Sequence, residues 1–147
     1  MWQRVQTLYL MIAAVLLGVL FFVPAARVFE PGVPGDLLED GRIMYTEKLP
    51  WLILLAFAEL GTVLSLFLFK KRLVQLRIAA FSLIVTAGLQ GWLAWDYFTA
   101  PDGIVFSGTV ILPAVAMILT VLAIKGIYAD ELLVRSASRL RSAKRKK

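Results

Sequence analysis

Four long apolar runs, each closed by charge or by a turn, occupy most of this chain and leave room for little else. They cover roughly residues 7–23, 50–69, 76–98 and 104–127. A span needs ~20 apolar residues to cross ~30 Å of hydrocarbon, so four such runs nearly exhaust 147 residues. The composition agrees, with 60% of residues hydrophobic. The expected fold is therefore all-α: a four-helix transmembrane bundle over residues 1–127, running up-down-up-down, with a basic helical tail at 128–147.

Charge placement orients the bundle. Thirteen of the sixteen Lys and Arg lie at one end: Arg4, the Lys70-Lys71-Arg72 and Arg77 group, and eight from Lys125 onward. Only Arg27, Arg42 and Lys48 lie at the other. Basic residues are retained on the cytoplasmic side of short loops. Both termini are thus expected in the cytoplasm, and the loop 24–48 and the turn near Pro101 outside. Seven of the ten acidic residues fall in the outward segments.

Local signals refine this plan. Pro50 suits the first turn of a helix, where its missing N–H costs nothing. Trp51, Trp92, Trp95 and Tyr97 crowd the outward ends, as interfacial aromatics do. Pro31-Gly32-Val33-Pro34-Gly35 marks a turn, around which Arg27-Val28-Phe29 and Ile43-Met44-Tyr45-Thr46 can pair as a short hairpin. The first run also has the outline of a signal peptide ending at Val23-Pro24-Ala25. A retained first span is the preferred reading.

Few residues carry chemistry. The chain has neither Cys nor His, which removes disulfides, thiol catalysis, the usual zinc sites and Ser-His-Asp triads. No metal site, cofactor or enzymatic activity is expected. Asp36, Glu39, Asp40 and Glu47 read as a solvated loop face, without the spacing of a calcium loop. Glu59 stands out near the middle of the second span, nine residues after Pro50 and eleven before Lys70. A carboxyl at that depth is costly, faces the bundle interior and needs a partner. Thr62 lies one turn away. Counting inward from Pro50 and from Tyr97 puts Gln90 within ~3 Å of the same depth, at ~1.5 Å per residue. Glu59, Thr62 and Gln90 thus form an expected polar cluster, with Glu59 held as the neutral acid and hydrogen-bonded to Gln90 or to a backbone carbonyl.

Gly61-x-x-x-Ser65 and Ala87-x-x-x-Gly91 have the small-residue spacing of close helix contacts, expected within the chain. Pro113 is expected to kink the fourth span and free the carbonyl of Thr109. Asp130-Glu131 would open a new helical segment, where negative charge suits the helix dipole. In the tail, Glu131 and Arg135 have the favourable i, i+4 order. Leu132, Leu133, Ser136, Ala137 and Leu140 share one face, flanked by Arg135, Arg139 and Arg141. The terminal Lys144, Arg145, Lys146 and Lys147 complete a basic surface for anionic phospholipid headgroups or for a protein partner. Nucleic acid is not expected, since stacking aromatics are missing from the tail.

Four strings carry a resemblance across nearly the whole chain: Gln3-Arg4-Val5-Gln6-Thr7-Leu8-Tyr9-Leu10, Lys71-Arg72-Leu73-Val74-Gln75-Leu76-Arg77, Ile111-Leu112-Pro113 and Ala129-Asp130-Glu131-Leu132-Leu133-Val134-Arg135-Ser136. They resemble a family of small four-span inner-membrane proteins of Gram-negative bacteria, classed as a domain of unknown function. The resemblance implies a multi-pass protein of the bacterial inner membrane with an uncleaved first helix, and implies no activity. The function expected from the residues is that of an accessory or scaffolding subunit of a larger assembly, with a protein partner or a homo-oligomer. The alternative is a homo-oligomeric, proton-coupled transporter component that uses Glu59.

Overall fold

The computed structural model describes residues 2–28, 41–100 and 102–145. Four helices run as α1 (Trp2–Val19), α2 (Leu49–Phe67), α3 (Arg72–Thr99) and α4 (Leu112–Arg145). Each packs on two neighbours, closing a ring in which α1 touches α2 and α4, and α3 touches α2 and α4. Three helices, α2, α3 and α4, are long and apolar enough to cross a membrane, and α1 is shorter.

The bundle buries small and polar residues among core leucines such as Leu17, Leu55 and Leu89, and exposes many of its other large apolar residues. Ala13, Ala58, Ala79, Ala116 and Ala123 are fully buried, together with Ser65, Ser82, Thr86 and Thr120. Val15, Phe57, Leu60, Phe81, Ile84 and Ile118 face outward and are exposed. Small buried residues let helix backbones approach where apolar burial supplies no drive between them. So many exposed large apolar side chains on helices are uncommon on a soluble monomer.

The described chain is mostly helical, as expected, but one end also carries a three-stranded antiparallel sheet that the all-α expectation did not include. The strands are β1 (Pro24–Val28), β2 (Arg42–Met44) and β3 (Ile104–Phe106), in the order β2-β1-β3. The expected hairpin is present in part: Ala26 pairs with Ile43 and Arg27 with Arg42. The Pro/Gly cluster at 31–35 and the acidic Asp36, Glu39 and Asp40 lie outside the described residues. A register shift between Pro24 and Ala26 sets two successive alanines, Ala25 and Ala26, against the bundle. A bulge of this kind re-aims a side chain that strict alternation would send outward.

The third strand was expected as the start of span four. Ile104-Val105-Phe106 is an apolar run too short to be told from helix by periodicity. Gly103, at φ 99°, turns the chain back so that Arg27 pairs with Val105 and Ala26 with Phe106. A 3-10 turn at Gly108–Ile111 then leads into α4. Consequently Pro113 is the second residue of α4, not an interior kink. It lacks only an N–H that the first turn leaves unpaired. The carbonyl of Thr109 is not freed either, for it accepts the N–H of Leu112.

At the opposite, basic end α1 begins before residue 7; at the sheet end it closes at Val19, where Leu20, Phe21 and Phe22 tighten into i→i−3 bonds. α4 runs without interruption through Asp130-Glu131 to Arg145, so no separate helical segment starts there.

Candidate functional site

The interior polar residues are held by the α2–α3 seam. Gly61 removes the side chain that would separate the two helices: a Cβ there would lie 2.9 Å from Ser82 Cβ. That approach lets the Ser82 hydroxyl reach the Ala58 carbonyl at 2.8 Å, which the Thr62 hydroxyl also reaches at 2.8 Å. Thr62 and Ser82 oxygens are 2.7 Å apart. Two hydroxyl hydrogens serve three contacts, so one hydrogen is shared between alternatives. Thr86 donates to the Ser82 carbonyl, and Ser65 to the Gln75 carbonyl. Thr62 is thus buried, and its side-chain partner is Ser82 rather than Glu59.

Glu59 and Gln90 are not joined. Glu59 Oε2 and Gln90 Oε1 are buried, and neither has a hydrogen-bond partner among the described residues. The reason is register. Gly61 meets Ser82, Gly88 meets Leu54, and Lys48 pairs with Asp96. In this antiparallel pairing Glu59 sits level with residues 84–85. Gln90 lies some five residues nearer the sheet, about 8 Å at 1.5 Å per residue. Counting inward from Pro50 and Tyr97 treats the two helix ends as level, whereas α3 overhangs α2. Glu59 instead reaches toward α1, with Oε1 3.6 Å from the Cβ position of Gly18.

Of the two small-residue spacings, Gly61 and Ser65 are buried against α3 as expected. Ala87, Gly88 and Gly91 are exposed, and nothing lies within 4 Å of a Cβ at Gly91. The second spacing therefore packs nothing within the chain.

Sequence reasoning missed two clasps. At the basic end Gln6 is 7% exposed, and its amide donates to Asp130 Oδ2 at 2.9 Å, tying α1 to α4. Gly126 makes room for it, since a Cβ there would lie 2.8 Å from Gln6 Cγ. At the sheet end Thr109 donates to the Pro24 carbonyl at 2.8 Å, and the buried Tyr45 hydroxyl sits 3.5 Å from Thr109 Oγ1. Both link residues more than 60 positions apart, beyond any local pattern. Lys48 and Asp96 form an ion pair at 3.1 Å above Trp51.

Burial pushes the Tyr45 phenol above its ordinary value, opposed by the contact with Thr109. A raised folded-state value means that the folded protein holds this proton more tightly than the unfolded chain. The associated stability is full below pH ~10 and is lost as pH rises through the folded value. In an alkaline absorbance titration near 295 nm, one of the four tyrosines should ionise late. Tyr45→Phe should remove that late step; an unchanged late step would assign it elsewhere.

In the tail, the Arg135 guanidinium donates to Glu131 at 2.9 Å, the expected i, i+4 pair. Leu132, Leu133, Leu140, Arg139 and Arg141 are all exposed. Lys144 and Arg145 belong to the helix, but their side chains, like Lys146 and Lys147, lie outside the described residues. Among the described residues no group of acids could hold a metal ion.

Apolar helices that bury small and polar residues among core leucines, expose an apolar exterior and carry one basic end define a class of helical proteins compatible with a bilayer. Within that class, the chain belongs to the family described as a domain of unknown function, DUF4293, whose model matches residues 2–140. No curated protein and no solved structure matches it.

Proposed function

We propose that this is a four-span protein of the bacterial inner membrane, with both termini cytoplasmic, that acts as an accessory or scaffolding subunit. Supporting the fourth span, α1 has 18 residues, or ~27 Å at 1.5 Å per residue, close to the ~30 Å of hydrocarbon. The observation that carries the role is the length of α4. Its 34 residues extend ~51 Å, about 20 Å beyond a bilayer core. The overhang presents Leu132, Leu133 and Leu140 at 49%, 67% and 74% exposure. An apolar stripe on a helix that runs on past the apolar part of the bundle suits a helix-in-groove contact. Arg135, Arg139 and Arg141 beside it suit an acidic rim or the anionic headgroups below.

Native mass analysis of the complex taken from its own membranes in mild detergent tests this. A stoichiometric heterologous partner is expected with the intact chain and should be lost from Leu133→Glu/Leu140→Glu. An intact chain that elutes only as a monomer or homo-oligomer would reject the role.

One observation favours a second reading, a homo-oligomeric, proton-coupled transporter component. Glu59 Oε2 is buried and has no hydrogen-bond partner among the described residues, unusual for a carboxyl that only pins packing. The two readings part on Glu59→Gln. The accessory role expects the partner to be retained and growth to be unaffected. A transporter expects pH-driven flux in liposomes that the substitution abolishes.

A further inference from the structure

The basic end carries a cleft that the accessory role does not use. It is a shallow, open depression of about 460 Å³ between the α2–α3 turn and α4, of the form that suits a surface-held headgroup rather than a buried ligand. Lys70, Lys71 and Arg72 line it from the turn. None of the three is in an ion pair among the described residues. The single acid on the wall, Glu131, is engaged by Arg135 at 2.9 Å. Three adjacent basic residues thus line one space, and none of them is neutralised by an acid among the described residues; the Lys70 ammonium lies 6.0 Å from the Phe69 ring centroid.

The rest of the lining is apolar and open. Leu73, Val74 and Val134 border the cleft and are 45%, 40% and 52% exposed. Phe69, two residues past the end of α2 and next in the chain to Lys70, is exposed. A soluble anion would gain from the cations and nothing from these side chains. An amphiphile whose phosphate meets the cations while its glycerol and upper acyl carbons cover Leu73, Val74 and Val134 gains from both. We propose that this cleft binds the phosphate headgroup of an anionic phospholipid, gripped between the 70–72 turn and α4. The proposal rests on the membrane-spanning part of the preceding reading and is independent of the accessory role.

The test is native mass spectrometry of the full-length protein in detergent with added phosphatidylglycerol or phosphatidylcholine. The wild type should retain one phosphatidylglycerol and little phosphatidylcholine. Each basic residue near an anionic surface contributes a factor of about 5, so Lys70→Gln/Lys71→Gln/Arg72→Gln should weaken retention roughly 100-fold. Val134→Asp leaves the turn intact, sits on an exposed helical face and should also release the lipid, which guards against misfolding of the triple variant. Arg139→Gln/Arg141→Gln should retain it. Three results would overturn the proposal: equal retention of phosphatidylcholine, equal loss in the tail variant, or displacement of the lipid by millimolar glycerol phosphate. The last would assign the cleft to a soluble phosphate compound. Loss of the partner with lipid retained would strike the accessory reading alone.

Discussion

Gly61→Ala should destabilise the bundle by about 2 kcal/mol or more, despite alanine's higher helix propensity. In an isolated helix the change would gain ~1 kcal/mol. Here the new methyl would lie 2.9 Å from Ser82 Cβ and 3.4 Å from its Cα, so α2 and α3 must separate. Overpacking of this sort costs ~1–3 kcal/mol. The separation also stretches the shared contacts of Thr62, Ser82 and the Ala58 carbonyl, and each buried polar group left unpaired costs ~1–3 kcal/mol. Unfolding in mixed micelles, followed by circular dichroism, reads the loss. Ser82→Gly removes the opposing Cβ and should restore part of the stability to Gly61→Ala. If Gly61→Ala is as stable as the wild type, the seam is not closed at this point.

Gly126→Ala should cost ~1–3 kcal/mol by a different route, and its sign should reverse in the right background. The methyl would meet Gln6 Cγ at 2.8 Å and Nε2 at 3.0 Å. Gln6 has a flexible side chain and can yield, but only by releasing Asp130, a hydrogen bond to a charged group worth ~1.5–3 kcal/mol. With Gln6→Ala already in place there is nothing to displace. Gly126→Ala should then be neutral or stabilising by up to ~1 kcal/mol. Equal costs in both backgrounds would mean that the clasp between α1 and α4 does not depend on Gly126.

These predictions concern residues that the sequence makes visible to different degrees. Gly61 is legible, because small residues four apart on an apolar helix point to a close neighbour. Its counterpart is not, since Ala87 and Gly91 show the same spacing and face outward. Spacing reports that backbones can approach, and only the tertiary arrangement says on which face another helix arrives. Gln6 and Asp130 each look like ordinary end-of-span polar residues. Their bond depends on α1 and α4, the first and last elements, lying side by side.

Glu59 shows the boundary most clearly. Its depth, its costliness and its inward direction follow from a carboxyl in the centre of an apolar run. Its neighbour does not, because a shift of five residues between two antiparallel helices changes no periodicity yet moves Gln90 by about 8 Å. Ile104-Val105-Phe106 reads equally well as helix or strand, and pairing with β1 decides it.

The sequence alone determined the number of apolar runs, the end at which the cations gather, and the helical basic tail, because these depend on composition along the chain. Tertiary structure decided the register of α2 on α3, the sheet that caps one end, the start of α4 at Leu112, and the meeting of the 70–72 turn with Val134. Each of those depends on contacts between segments far apart in the chain, and no local pattern of residues encodes the offset at which two helices come to rest.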